Sequence, residues 1–182
     1  MVRVMATGVF DLLHPGHLHF LESARRLGDE LVVVVATDVV ARKRKHEPVT
    51  SQEMRRQMVA ALKVVDRAVV GHEDDIYKTV EDVRPDIIAL GYDQSFREEE
   101  IQKELERRGL QVKIVRLPKD LSGHDLDGTR KIIAKITQGM LFQKSIDKVE
   151  EKPKAEAGKD GEKAPNPHAA ERAQGATPGA RP

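Results

Sequence analysis

The sequence predicts an α/β fold: a five-stranded parallel sheet, doubly wound by helices on both faces, in a single domain. Three observations predict it. Short β-branched runs alternate with helical patterns along the chain. One of those runs, Leu31–Thr37 (LVVVVAT), is apolar almost throughout, as expected of a strand covered on both faces. Gly28, Pro85 and Gly109 punctuate the alternation where helices should stop. With right-handed crossovers, such a sheet receives its ligand beyond the C-terminal ends of the strands, where the strand order reverses.

The elements follow in order. Val2–Ala6 is the first strand, and a helix begins near Gly16 with Leu18, Leu21, Ala24 and Leu27 on its inner side. Pro15 suits a helix start, because a proline there forfeits no hydrogen bond. Gly28 closes the helix in the left-handed conformation that helix ends commonly need. After the strand Leu31–Thr37, the segment Ala41–His46 reads as a basic connection that Pro48 keeps from becoming helical.

Thr50 and Glu53 have the spacing of a capping box, which opens a helix to about Leu62 with Met54, Met58, Ala61 and Leu62 inward. Arg67–Val70 is the third strand, Asp75–Val83 a helix ended by Pro85, and Asp86–Leu90 the fourth strand. That strand empties into Gly91-Tyr92-Asp93-Gln94. An amphipathic helix, Glu98–Arg108, puts Ile101 and Leu105 inward, and Val112–Leu117 is the fifth strand. A polar loop, Pro118–Asp127, precedes the last helix, Gly128 to about Leu141, striped by Ile132, Ile133 and Ile136.

From there the character changes. The C-terminal segment is rich in Lys, Glu, Ala, Pro and Gly, with Val149 its only larger aliphatic. Such a segment cannot bury enough apolar surface to offset the entropy of ordering it. The expected organisation is a folded domain over residues 1–144 and a disordered low-complexity tail over 145–182.

Composition excludes several classes of function. The 182 residues carry a net charge of +1 and 3% aromatics, which argues against a nucleic-acid binder, since that needs a basic excess and stacking platforms. There is no Cys, so disulfides, thiolate metal sites and a cysteine nucleophile are excluded. The longest apolar run falls far short of the roughly 20 residues that span a bilayer. No extended apolar core follows Arg3, so a signal peptide is not expected, and the expected location is the cytoplasm.

The stretch Ala6–Phe20, ATGVFDLLHPGHLHF, carries the chemistry. It puts His14 and His17 at a strand-to-helix turn, where free backbone N–H groups and the positive end of the helix dipole favour an anion such as phosphate. Gly16 between them lets a ligand approach the backbone closely. His19 lies outside this pattern and reads as a helix-surface residue. The late segment Gly123–Arg130 has P-loop glycine spacing, but Thr129-Arg130 stands where Lys-Ser or Lys-Thr should be, so it is not a P-loop. Asp93 lies at the crevice end of the fourth strand and is either a turn residue or a nucleoside contact. Asp11 either orders its loop or touches substrate. No cluster offers three convergent metal ligands.

The run Thr7-Gly8-Val9-Phe10-Asp11 followed by His14-Pro15-Gly16-His17 resembles the H-x-G-H signature of the cytidylyltransferase-like nucleotidyltransferases, and residues 1 to 140 are similar to the archaeal-type FAD synthase branch. The resemblance implies a Rossmann-like fold and transfer of AMP from ATP to FMN, giving FAD and pyrophosphate. It implies that His14 and His17 contact the α-phosphate and bridging oxygens as the α-phosphorus is attacked, with ATP lying along Val9, Phe10, Pro15, Gly16 and Asp93.

The family's late S-S-T-R segment, which holds the β- and γ-phosphates, is matched by Thr129 and Arg130, with Asp127 and Gly128 in place of the two serines. Arg55 matches the arginine of the family's E-x-R segment and is expected to face the phosphates. By the same resemblance Lys43 or Lys45 meets the acceptor's phosphate. A divalent cation, Mg²⁺ in the first place, is expected to arrive with the triphosphate. A homodimer is one assembly the sequence allows. The rival readings are a glycerol-3-phosphate cytidylyltransferase and a nucleotide-binding regulatory module without turnover.

Overall fold

The computed structural model describes residues 1–44, 47–119 and 125–150. Five strands form one parallel sheet: β1 (Arg3–Gly8), β2 (Glu30–Val35), β3 (Arg67–Val70), β4 (Ile87–Leu90) and β5 (Lys113–Arg116), in the order β3-β2-β1-β4-β5. The helices are α1 (Pro15–Arg25), α2 (Asp38–Arg44), α3 (Gln52–Ala60), α4 (Ile76–Val83), α5 (Glu98–Arg107) and α6 (Thr129–Glu150). This is the expected Rossmann-like architecture. The chain steps outward from β1 to β3, then returns to lay β4 on the other side of β1. The point of reversal, and with it the crevice, lies between β1 and β4.

Two cores flank the sheet because side chains alternate along each strand. Val4 and Ala6 of β1 and Leu31, Val33 and Val35 of β2 face the core built with α1 and α3. Met5 of β1 and Val32 and Val34 of β2 face the core built with α4 and α5. That is why the second strand reads as an unbroken apolar run.

Several local expectations are corrected. Gly28 does not adopt a positive φ. It is glycine for want of space: a Cβ there would lie 2.6 Å from the Val2 carbonyl oxygen. Gly109, with φ +70°, does take the left-handed conformation. Residues 41–44 of the basic connection belong to the short helix α2, which buries Ala41, and Lys45 and His46 lie outside the described residues.

The inner face near α3 differs in part from the expected one. Leu62 packs against the core, but Met54, Met58 and Ala61 are exposed, and the buried positions of the helix are Arg55 and Val59. Its capping box does not form either. Ser51 is the N-cap and accepts from Met54 N–H, while Glu53 pairs outward with Arg56 and Gln57. Those bonds hold the Glu53 carboxyl well below the usual range, at about 2.

On α1, Leu21 and Ala24 are buried but Leu18 is exposed, and His19 is half-buried rather than on the open surface. Of the apolar stripe on α6, Ile132 is half-buried and Ile133 and Ile136 are exposed. The helix also runs to Glu150, so residues 145–150 of the expected tail are helical; the remainder of that tail lies outside the described residues. The chain divides into two units, Met1–Gln138 and Gly139–Pro182, and every residue of the site below belongs to the first. Among the described residues no helix is long and apolar enough to cross a membrane.

Candidate active site

The turn between β1 and α1 is built under constraint. Phe10 and Leu12 have positive φ, 54° and 49°, a conformation that costs a non-glycine residue of order 1 to 3 kcal/mol. The backbone doubles back there so that the Phe10 ring, 3% exposed, lies beneath the start of α1. Gly8 makes this possible, since a Cβ on it would come within 2.9 Å of the Phe10 ring. Phe10 packs against His17 at 5.3 Å between ring centroids and against Phe20 at 6.4 Å.

On this plate the two imidazoles stack. His14 and His17 lie 3.7 Å apart between centroids with their planes 21° from parallel, and the Nδ1 atom of each is buried. His14 is the N-cap of α1 in extended conformation, its side chain makes no capping bond, and Pro15 follows at the first helical position. The carbonyl of His14 accepts from His17 N–H at 2.9 Å. With no side chain closing it, the positive end of α1 is offered to an anion beside the imidazoles.

A second helix start meets the first. The Asp127 carbonyl oxygen approaches Gly16 so closely that a Cβ there would sit 2.6 Å from it. Gly16 is therefore occupied by the chain itself on that side, where close approach by a ligand was expected. Thr129, the first residue of α6, donates its hydroxyl to the Asp11 carbonyl at 2.7 Å. That bond ties the start of α6 to the β1–α1 turn. Gly128 accepts from Lys131 and Ile132 N–H groups and so begins α6. Asp127 pairs with Lys131 at 2.6 Å, a bond that lowers the carboxyl's pKa and raises that of the amine. Arg130 is exposed at this helix start.

Arg55 does not face the solvent side of the crevice. Its side chain is wholly buried, with Nε donating to the Thr50 carbonyl at 3.0 Å and one amino group to Asp38 at 2.6 Å. The other amino group donates to the carbonyl of Val9. Its place is under the β1–α1 turn, where it holds the Val9 carbonyl.

Asp11 works alongside it: one carboxylate oxygen accepts from Val49 N–H at 2.8 Å, the other from the Thr50 hydroxyl at 2.8 Å and Thr50 N–H at 3.1 Å. Of its two expected roles, it has the one that orders the loop. Sequence reasoning missed Asp38, which carries no motif. Nor did a local pattern show that Arg55 is buried, since its partners Val9 and Asp38 lie far away in sequence.

At the opposite side of the switch point, the β4–α5 loop is held from β5. Arg116 donates to Glu98 at 2.8 Å, to the carbonyls of Gly91 and Gln94 at 3.0 Å each, and to that of Phe96 at 2.6 Å. Gln94 Nε2 donates to the Thr7 carbonyl at 2.6 Å, fastening the loop to the end of β1. Asp93 is exposed on this loop. Lys43 is exposed on α2, and Lys45 lies outside the described residues, as do Gly123 and His124.

A parallel sheet whose switch point carries a histidine pair between two helix starts defines a nucleotidyltransferase of the Rossmann-like kind. The cytidylyltransferase-like family model matches residues 5–148. A protein named FAD synthase from Aciduliprofundum boonei is 65% identical over 136 residues, 75% of this chain and 91% of that protein. Another of that name, from Thermoplasma volcanium, is 56% identical over 119 residues, 65% of this chain and 84% of that one. A crystal structure from Thermoplasma volcanium, described as a lipopolysaccharide core biosynthesis protein, superposes with a TM-score of 0.65 at 55% identity, covering 66% of this chain and 98% of that one. The chain belongs to the cytidylyltransferase-like family and, within it, to the archaeal-type FAD synthases.

Proposed function

We infer that the protein is an FMN adenylyltransferase. An oxygen of the FMN phosphate attacks the α-phosphorus of ATP, the bond from that phosphorus to the bridging oxygen of the β-phosphate breaks, and pyrophosphate leaves with the electron pair. The observation that carries the reading is the meeting of the α1 and α6 starts around the stacked His14 and His17. Two helix N-termini supply fixed positive potential where a triphosphate would lie. The imidazoles supply hydrogen bonds where negative charge grows during attack, and groups fixed in this way stabilise charge without reorganising. FMN as acceptor rests on the relatives named FAD synthase.

Phe10 packs against His17 and Arg55 holds the Val9 carbonyl. In this reading Arg130, exposed at the α6 start, is the cation for the departing phosphates, Asp93 is the nucleoside contact, and Lys43 and Lys45 are candidates for the acceptor phosphate. Among the described residues no group of three or more His, Asp or Glu could hold a metal ion. A divalent cation that travels with ATP would rest chiefly on phosphate oxygens and water, as Mg²⁺ commonly does, and would offset the triphosphate's charge.

The test is to incubate the purified protein with ATP and FMN and, separately, with CTP and glycerol 3-phosphate, following FAD by chromatography and pyrophosphate by a coupled assay. FAD and pyrophosphate in equal amounts in the first mixture are expected. Pyrophosphate in the second mixture alone would move the protein to the cytidylyltransferases.

A further inference from the structure

Between the end of β4 and the start of α5 the chain runs outside helix and strand, through residues 91–97. Its carbonyls still need donors, and a single side chain of β5 supplies three of them. Arg116 Nη1 donates to the Gly91 and Gln94 carbonyls at 3.0 Å each and Nη2 to the Phe96 carbonyl at 2.6 Å, while Nε donates to Glu98, the first residue of α5, at 2.8 Å. We propose that Arg116 is a positioning residue of the nucleotide site, which together with Gln94 holds the β4–α5 loop in the shape that presents Asp93 to the nucleoside. The proposal rests on the adenylyltransferase reading above, in which Asp93 is the nucleoside contact, and names what sets that contact in place.

Three observations carry it. First, the bonds fall on both sides of Asp93. Gln94 N–H donates to the Gly91 carbonyl at 3.2 Å, closing the turn Gly91-Tyr92-Asp93-Gln94. One nitrogen, Arg116 Nη1, therefore holds both ends of the turn that has Asp93 as its third residue. The Asp93 carboxylate folds back over Gly91, where one of its oxygens would lie 3.5 Å from a Cβ on that glycine. A shift of either held carbonyl displaces it.

Second, the hold reaches the switch point. β1 and β4 pair there, with Ala6 beside Ala89. Gln94 Nε2 donates to the Thr7 carbonyl at 2.6 Å, close before Val9, whose carbonyl Arg55 holds. The loop that bears Asp93 and the turn that bears His14 are thus anchored to the same end of β1.

Third, the partner set calls for an arginine. Three carbonyls and a carboxylate converge on one planar group, which a guanidinium meets with donors in a fixed fork and a lysine ammonium, a compact point charge, does not. The side chain of Arg116 is 29% exposed and that of Glu98 44%, so water can reach the groups that lose a bond when Arg116 is replaced. Its removal therefore frees the loop without stranding a buried charge, and the effect is expected at the nucleotide site more than in the stability of the domain.

The experiment compares the full chain with Arg116→Met, Arg116→Lys, Asp93→Ala and the double variant Arg116→Met with Asp93→Ala. Gln94→Met frees the same loop from β1 and serves if Arg116→Met folds poorly. Binding of α,β-methylene ATP is read by calorimetry, and kcat and the KM for ATP by steady-state kinetics. Arg116→Met is expected to weaken binding and raise the KM for ATP by about ten- to a hundredfold, as follows when the competent loop falls to about 1 to 10% of the population. At saturating ATP kcat should stay within about threefold, because bound nucleotide selects the same loop shape. Lysine should recover little of the affinity, and Gln94→Met should act in the same direction as Arg116→Met. Asp93→Ala should weaken binding in the unmodified chain, and by less than about twofold further once Arg116 is gone, since coupled residues are not additive. Unchanged affinity in the folded Arg116→Met and Gln94→Met chains or in Asp93→Ala, full recovery by lysine, or effects of Arg116 and Asp93 that simply multiply would each overturn the proposal. If the unmodified protein forms no FAD from ATP and FMN, the adenylyltransferase reading itself fails, an outcome distinct from these.

Discussion

Replacement of Arg55 by alanine separates an arginine that holds phosphate from one that holds the fold. Its side chain is 0% exposed and its partner Asp38 is 25% exposed, so truncation leaves one carboxylate and the carbonyls of Val9 and Thr50 without their donors. Breaking a buried ion pair by removing one partner costs about 3 to 5 kcal/mol. The partial exposure of Asp38, which lets water reach the stranded charge, puts the expectation near the lower end. For a domain of this size about 3 kcal/mol lowers the melting temperature by roughly 10 °C.

Turnover should fall with it, because the Val9 carbonyl anchors the turn that bears His14. Arg55→Lys keeps a charge but only one of the three contacts, and should recover part of the stability and little of the turnover. Thermal melts read the first quantity and pyrophosphate release the second. A variant that melts with the unmodified protein while its KM for ATP rises steeply would refute this reasoning and return Arg55 to the phosphates.

Three further predictions follow from the same geometry. His17→Ala should lower kcat by about 10² to 10³ while nucleotide affinity stays within a few-fold, as expected when a contact strengthens only in the transition state; steady-state kinetics with calorimetric binding of a non-hydrolysable ATP analogue measure both. Gly16→Ala would set a methyl carbon 2.6 Å from the Asp127 carbonyl oxygen, so the two helix starts must part and kcat/KM should drop by about 10², with circular dichroism unchanged.

Glu104, held at about 2 against an ordinary 4.5 by bonds from Arg107 and Arg108, binds fewer protons folded than unfolded. Its contribution is complete above pH 4.5 and is lost as pH falls through about 2. Denaturation midpoints should decline over that window, and less steeply in Glu104→Gln.

The strands were legible because each carries a short apolar run between polar turns, and Arg67–Val70 matches its expected bounds to the residue. The histidine turn was legible for a different reason, since Pro15 and Gly16 mark a helix start whatever the rest of the fold does. What failed was the orientation of α3. Hydrophobic periodicity assigns the inner face to Met54 and Met58, but the buried position belongs to Arg55, whose donors are satisfied by groups far away in sequence. No local pattern encodes such a partner set. Gly28 failed similarly: its reason is the passage of β1 close by, a tertiary fact, where the sequence offered only a torsional one. The short helix α2 has one wholly buried residue, Ala41, so it lacks the periodic signal that revealed the others.

The placement of Arg55 and Asp11 explains how the catalytic turn keeps its shape. Two left-handed residues, Phe10 and Leu12, cost about 2 to 6 kcal/mol together, and a free chain would relax them. Against that stand the hydrogen bonds made by the Arg55 guanidinium to the Val9 carbonyl and by the Asp11 carboxylate to Val49 and Thr50. Those bonds and the burial of the Phe10 ring oppose relaxation of the turn and hold its conformation. Arg55 and Asp11 hold the backbone of the turn that bears His14, and for that reason their loss is expected to appear in stability and kcat together.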